Sequence, residues 1–179
     1  MTGPVEKVLL LGMMGAGKTT VGTALASRLG WTYLDNDALL QRSTGQTGPE
    51  LLAHLGSDGL RAAESSVLTL LLAMPGPLVG GVPGGVVLDA ADRARLVAAA
   101  DDGCLVVWLR ASPAVLARRV GSGAGRARLG DDPAGALRHL AEVRDPLYAE
   151  VAGLVLDADT AFAGTLGKRL AEQVAASRG

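Results

Sequence analysis

Residues 8–19 read VLLLGMMGAGKT. The apolar run at residues 8–11 predicts a short strand that is buried on both faces. The loop that follows it matches the phosphate-binding pattern G-x-x-x-x-G-K-[ST] in full. Beyond the loop, residues 19–29 carry apolar side chains at helical spacing, and Gly30 is a typical helix stop. A strand, a glycine loop and a helix in this order predict a P-loop that binds a nucleotide.

The loop has the residue types that a polyphosphate requires. Its glycines let backbone N–H groups surround the phosphates without interference from a Cβ. The N-terminus of the following helix adds the positive end of its dipole. Lys18 is expected to reach the β- and γ-phosphates, and the Thr19 hydroxyl is expected to ligate Mg²⁺. The predicted cofactors are therefore ATP and Mg²⁺, with nucleotide contacts at Gly12, Gly15, Ala16, Gly17, Lys18, Thr19 and Thr20.

Short apolar runs alternate with amphipathic segments along the rest of the chain. Further strands are predicted at residues 32–34, 77–79, 105–109 and 154–156. Helices are predicted at residues 39–42, 49–55, 60–73, 90–100, 134–151 (with a break near Pro146) and 161–176, and from Ser112-Pro113 onward. The alternation predicts an α/β fold with a parallel sheet, in one domain that spans residues 1–179.

Composition excludes several classes of function. The chain has 17 basic and 18 acidic residues and only 3% aromatic residues, so we expect no binding of nucleic acid. The apolar run at residues 8–11 passes straight into a glycine loop that bears Lys18, which is not typical of a signal peptide, and the longest other apolar run, residues 67–74, is too short to cross a bilayer, so no membrane contact is expected. Cys104 is the one cysteine, which excludes a disulfide within the chain and favours a cytoplasmic location.

Two acidic residues follow the second predicted strand, in the stretch Asp35-Asn36-Asp37. Ligands of open α/β sheets bind at the carboxyl ends of the strands, so both carboxylates are expected near the nucleotide. Asp35 can approach the metal side, directly or through water, and Asp37 can accept hydrogen bonds from the hydroxyls of a polyol. The alternative is that both acids are solvated turn or capping residues.

The order of the motifs resembles that of the shikimate kinase family. After the P-loop, Asp35 and Asp37 match the family's D-x-D, and residues 56–64 match G-E-x-x-F-R-x-x-E at its glycine, arginine and final glutamate. Pro83-Gly84-Gly85 matches a G-G-G turn in part, Arg126 matches an arginine of a lid, and residues 144–148, RDPLY, match R-x-P-L-Y. The resemblance covers nearly the whole chain.

This resemblance implies a fold, an activity and roles for individual residues. It implies a doubly wound P-loop NTPase-type fold, with about five parallel strands flanked by helices and a mobile lid at about residues 121–132. The implied reaction is ATP-dependent phosphorylation of shikimate to shikimate 3-phosphate, in aromatic amino acid biosynthesis, by a monomer. Lys18, Asp37 and Arg126 would be catalytic, and Arg119 and Arg126 would reach the nucleotide. A substrate-binding section at about residues 37–73 is implied, with shikimate held by Asp37, Arg61, Gly84, Gly85 and Arg144.

The chemistry of shikimate suits these residue types. A guanidinium can bind both oxygens of the substrate carboxylate, which makes Arg61 and Arg144 the natural pair for it. Alternatives remain for each residue, since Arg61 and Glu64 could form an exposed i,i+3 pair and Arg144 could be a surface charge. Two other functions also remain open: a related kinase for a metabolite such as gluconate, and a diverged homologue that binds nucleotide without turnover.

Four positions depart from the motifs of the family. They are Ser57, Leu60, Pro83 and Ala127, which replace a glutamate, a phenylalanine, a glycine and a proline. Pro83 is the largest change, because proline lacks a backbone donor and fixes φ near −65°. The additional Gly80 and Gly81 leave the register of the glycine turn open by one residue or more.

Overall fold

The architecture is a single parallel sheet with helices around it. The computed structural model describes residues 4–120, 129 and 131–177. Five strands form the sheet in the order β2-β3-β1-β4-β5, which bears out the predicted doubly wound α/β fold. The strands are β1 (Lys7–Leu11), β2 (Thr32–Leu34), β3 (Leu78–Gly81), β4 (Cys104–Arg110) and β5 (Leu154–Asp157).

Helices connect the strands on both faces of the sheet. Leu10 of β1 lies on the face of the sheet next to the helix at Lys18–Leu29. Leu9 lies on the opposite face, near Leu71 of the helix at Gly48–Ala73. Within the described part of the chain, no helix is both long enough and apolar enough to cross a membrane. The helices are α1 (Lys18–Leu29), α2 (Asn36–Thr44), α3 (Gly48–Ala73), α4 (Ala90–Asp101), α5 (Pro113–Val120), α6 (Pro133–Val151) and α7 (Ala163–Ala176), and a 3₁₀ turn lies at Val86–Leu88.

The central strand positions the glycine loop. β1 lies between β3 and β4, and Val8, Leu9, Leu10 and Leu11 are completely buried, as the continuous apolar run predicted. The chain runs from β1 to β2 and β3 on one side and then crosses β1 to reach β4 and β5 on the other, so a crevice opens beyond the carboxyl end of β1. Residues 12–17 begin at that point and lead into α1.

A single helical stretch, α3, contains the two helices predicted at residues 49–55 and 60–73. Gly56, at φ 69° and ψ −170°, interrupts it. Glycine takes this left-handed φ at little cost, so the chain changes direction there and continues as a helix. The helix begins with a capping box, in which the Glu50 carboxylate accepts a hydrogen bond from the backbone N–H of Thr47 at 2.7 Å.

The predicted break near Pro146 is wrong. Helix α6 continues through this proline to Val151. Proline removes one helical hydrogen bond, but buried side chains on either side of it, Leu137 and Tyr148 among them, pack in the core. Glu150 also accepts a hydrogen bond from Arg93 of α4 at 3.1 Å, which ties the last turn of the helix in place.

Candidate active site

A cavity of about 850 Å³ lies beyond the carboxyl ends of the central strands. Elements far apart in the sequence contribute its walls. Gly12 and Asp35 do not line the cavity but accept hydrogen bonds from Lys18 and Thr19, which do, and Arg126 is outside the described residues. The predicted site residues that line the cavity are Gly15, Ala16, Gly17, Lys18, Thr19, Thr20, Asp37, Arg61, Gly84, Gly85, Arg119 and Arg144.

The glycine loop has a backbone that other residues would not adopt. Gly12 has φ 141°, and a Cβ at this position would lie 2.7 Å from the carbonyl oxygen of Leu109. Gly17 has φ 96° and directly precedes α1. Both positions require glycine, the first for close packing and the second for its left-handed conformation. The loop therefore brings main chain, without side chains, to the end of α1.

Lys18 is the first residue of α1 and is partly buried. Its ammonium donates hydrogen bonds to the carbonyl oxygens of Gly12 at 2.7 Å and Met13 at 3.3 Å. Desolvation lowers the pKa of Lys18 from 10.5 to about 8, although the carboxylates of Asp37, Glu64 and Asp35 act in the opposite direction. The loop thus holds a cation inside the cavity, where an anionic ligand would restore its full charge.

Thr19 and Asp35 form the oxygen-rich corner of the site. The Thr19 hydroxyl donates to Asp35 Oδ2 at 2.8 Å, and the Tyr33 hydroxyl donates to the same oxygen at 3.2 Å. The other oxygen, Oδ1, accepts from the backbone N–H groups of Asp37 and Ala38, so Asp35 also caps α2.

These oxygens fit the requirements of Mg²⁺. The described residues include no cluster of three or more acidic, histidine or cysteine side chains that could hold a metal alone. Magnesium bound with a nucleotide needs no such cluster, because it takes one or two protein ligands and completes its shell with phosphate oxygens and water. The hydroxyl of Thr19 and the carboxylate of Asp35 can supply that small share.

The part of the cavity wall that α3 forms contains a buried acid, Glu64, which the sequence matched to a family motif and left open as a partner of Arg61. Glu64 is 9% exposed, so it is not half of an exposed pair with Arg61. A Cβ at Gly85 would overlap the Glu64 carboxylate, which therefore packs directly against the glycine turn. Arg144 on α6 lines the same region, and within the described residues its buried Nε has no hydrogen-bond partner. An unpaired buried donor suits an anionic ligand.

The structure fixes the register of the glycine turn. Gly80 and Gly81 belong to β3, where a Cβ on Gly81 would lie 2.9 Å from the Tyr33 hydroxyl. The turn itself is Pro83-Gly84-Gly85, and Gly84 and Gly85 face the cavity. Two of the departures from the family, Ser57 and Leu60, also line the cavity, which the sequence analysis did not predict.

Arg119 connects the glycine loop to the loop that follows β5. Its guanidinium donates to the carbonyl oxygens of Ala158 at 2.6 Å and Gly15 at 3.4 Å. Residues 158, 161 and 162 line the cavity beside it. This loop cannot be recognised from the sequence, because its residues have no motif of their own and reach the site only through the position of β5.

Fold and cavity together define a P-loop kinase that acts on a small molecule. A phosphate loop follows the central parallel strand, and the cavity of about 850 Å³ beside it is large enough for a nucleotide and a second ligand of modest size. The chain belongs to the shikimate kinase family, whose model matches residues 14–176. Its activity is that of the family, ATP-dependent phosphorylation of shikimate, with Mg²⁺ accompanying the nucleotide.

Individual relatives agree with this assignment. A shikimate kinase of Synechococcus sp. (strain RCC307) is 37% identical over 167 residues, which cover 92% of this chain and 82% of the relative. One of Halorhodospira halophila (strain DSM 244 / SL1) is 36% identical over 168 residues, covering 93% and 92%.

Solved structures separate the family from its neighbours. The shikimate kinase of Acinetobacter baumannii in complex with shikimate is 32% identical, with a TM-score of 0.86 over 96% of this chain and 94% of that one. A gluconokinase of Sinorhizobium meliloti 1021 has a TM-score of 0.60 at 24% identity, over 98% of each chain. The second likeness concerns the fold alone, so it gives no support to gluconate as the substrate.

Proposed function

We propose that phosphoryl transfer from ATP to shikimate takes place in the 850 Å³ cavity, with the nucleotide on the glycine loop and shikimate between α2, α3, the glycine turn and α6. One observation carries this proposal. The glycine loop and all five residues predicted to hold shikimate line one cavity, although they are spread between residues 15 and 144. A transfer without a covalent enzyme intermediate needs both substrates in one space.

On the donor side, Lys18 neutralises the β- and γ-phosphates, and Thr19 with Asp35 holds Mg²⁺. The other nucleotide contacts are the backbone of residues 12–20 and the guanidinium of Arg119. When bound, Mg²⁺ supplies positive charge to the phosphate oxygens. Hydrogen bonds tie Lys18 to the glycine loop and Asp35 to Thr19, which places both charges beside the proposed position of the phosphates.

On the acceptor side, Arg61 and Arg144 bind the substrate carboxylate, and the free Nε of Arg144 supports this role. Asp37 orders the hydroxyls and can accept the proton of the attacking one. Gly84 and Gly85 let the main chain approach the substrate ring. A loose transition state needs positioning and positive charge more than a strong base, so Asp37 acts mainly through orientation.

We also propose that residues 121–132 form a lid and that Arg126 closes over the transferring phosphate. Arg126 lies outside the described residues, so its role rests on the family resemblance. Arg126→Ala should lower turnover by about a hundredfold, because it removes charge stabilisation of the transition state. Shikimate affinity, measured by calorimetry, should change little, and an equal loss of both would assign Arg126 to the substrate pocket.

The proposal extends to organisation and location. One domain, residues 1–179, with the substrate-binding section at about residues 37–73, supplies every predicted contact, so a monomer suffices. The buried, unpaired Cys104 suits a reducing cytoplasm.

A coupled assay of ADP release tests the function directly. We expect ADP release that depends on shikimate, with gluconate giving no increase above background. Turnover with gluconate would favour the related metabolite kinase, and binding of ADP without turnover of either substrate would favour the diverged homologue. Because Ser57, Leu60, Pro83 and Ala127 depart from the family motifs, the assay should cover a wide range of shikimate concentrations.

A further inference from the structure

Tyr148 has a buried hydroxyl that reaches the substrate side of the cavity from behind. The side chain is 0% exposed, and its ring packs against Trp108 with the ring centroids 5.7 Å apart. The hydroxyl donates a hydrogen bond of 2.7 Å to the carbonyl oxygen of Gly84. A phenylalanine would fill the same core volume, so the packing alone does not require a hydroxyl, which is costly to bury unless it is bonded.

The same hydroxyl also lies against Arg144, one helical turn earlier on α6. Burial raises the pKa of Tyr148 to about 12, and the nearby Arg144 guanidinium, which hydrogen-bonds to the hydroxyl, acts in the opposite direction. A Cβ on Gly84 would lie 3.0 Å from the Tyr148 hydroxyl and 3.7 Å from Arg144 Nη1. Three groups therefore meet at one point: the glycine turn, the guanidinium and the hydroxyl.

We infer that Tyr148 is a positioning residue for the acceptor substrate, because its hydroxyl holds the Gly84–Gly85 turn at a set distance from Arg144. The inference rests on the proposed function, in which Arg144 binds the carboxylate of shikimate and the turn approaches its ring. Tyr148 does not line the cavity, so it acts through these two elements. The spacing between them must match the distance between the carboxylate and the hydroxyls of the substrate.

Tyr148→Phe removes the hydroxyl and keeps the ring. We expect the KM for shikimate to rise about tenfold, while kcat and the KM for ATP stay within about twofold. The reason is that the lost positioning would weaken the ground state and the transition state of shikimate equally. Val151→Ala is the matched control. It also shortens a buried side chain of α6, three residues further on, but it does not reach the cavity. This control should lower the melting temperature and leave the shikimate KM unchanged.

Gly84→Ala, alone and combined with Tyr148→Phe, provides a second measurement. The added methyl group would press on the Tyr148 hydroxyl and on the carbonyl oxygen of Gly12, and removal of the hydroxyl should relieve the first part of the effect. The two changes should therefore be non-additive in kcat/KM for shikimate. Additive effects would mean that the hydroxyl and the turn act independently.

The outcomes separate this inference from the proposed function. An active wild-type enzyme whose shikimate KM is unchanged by Tyr148→Phe would overturn the inference alone. Equal increases in the KM for shikimate and for ATP would also overturn it, because they would indicate a general loss of structure. A wild-type protein without turnover of shikimate would overturn both.

Discussion

The two ends of the cavity are built in different ways. The donor end is built largely from consecutive residues, 13–20, which present main chain together with Lys18 and Thr19, and Asp35 and Arg119 add to it from elsewhere in the chain. The acceptor end collects single residues from α2, α3, the turn after β3 and α6. The first is one local backbone conformation, whereas the second exists only when the whole domain has folded. Substitutions should therefore affect nucleotide chemistry at one end and substrate recognition at the other.

The largest effect is expected at the donor end. Lys18→Ala should lower turnover by about a thousandfold, because it removes a fixed positive charge that stabilises the transferring phosphoryl group. Lys7→Ala is a matched control, since Lys7 also donates to main-chain carbonyls, those of Leu71 and Leu72, but at the opposite end of β1. Lys7→Ala should affect the melting temperature more than turnover. Retention of more than about a tenth of turnover in Lys18→Ala would contradict the assignment of the glycine loop.

A pair of isosteric changes tests where the two ends meet. Asp37→Asn should lower turnover with shikimate by about a hundredfold and leave ADP affinity unchanged, because the carboxylate orders the substrate hydroxyls. Asp35→Asn should instead raise the Mg²⁺ concentration needed for half-maximal rate, while asparagine can still cap α2. Calorimetry with ADP and rates as a function of Mg²⁺ concentration measure the two effects. If ADP affinity falls as far as activity in Asp37→Asn, Asp37 belongs to the metal side.

A smaller effect is expected for the carboxylate pocket. Arg61→Lys and Arg144→Lys should each raise the shikimate KM by about tenfold, because an ammonium cannot reproduce the two parallel hydrogen bonds of a guanidinium. Arg138→Lys, on the same helix as Arg144 but outside the cavity, is the control. A shikimate analogue without the carboxylate should bind weakly to the wild type and be indifferent to the two changes. Equal losses for both ligands would show that the arginines support the fold.

The difference between a locally formed donor end and an acceptor end assembled by the whole fold explains what the sequence could predict. The glycine loop was readable because its conformation is a property of neighbouring residues, and Asp35 and Asp37 were readable because a strand end precedes them. The burial of Glu64 and the bond from Tyr148 to Gly84 were not, since each joins elements that only the fold brings together.

The wrong prediction of a break near Pro146 and the open register of the glycine turn have the same origin. A proline inside a helical pattern predicts a break by local rules, but the packing around Pro146 and the Arg93–Glu150 pair depend on α4. Likewise, Gly80 and Gly81 resemble turn residues, yet they pair with β1 as part of β3, and they are glycines because neighbouring side chains leave no room for a Cβ. One signal for Tyr148 was present in the sequence, its four-residue spacing from Arg144, which places both on one face of a helix.

The smallest expected effect is a change of protonation at the donor end. The pKa of Lys18 is lowered to about 8 by desolvation, and the phosphates of a bound nucleotide should raise it again. Nucleotide binding should therefore take up about half a proton at pH 8 and almost one at pH 9, with little uptake below pH 7.

Calorimetry with ADP in two buffers of different ionisation enthalpy measures this uptake, and Lys18→Arg, which stays charged, should abolish it. The sign for stability follows from the same shift. The unfolded chain binds more protons between about pH 8 and pH 10.5, so Lys18 should make the free protein more stable as the pH rises through this window. An uptake at pH 8.5 that persists in Lys18→Arg would assign the proton to another group and leave Lys18 fully charged in the free enzyme.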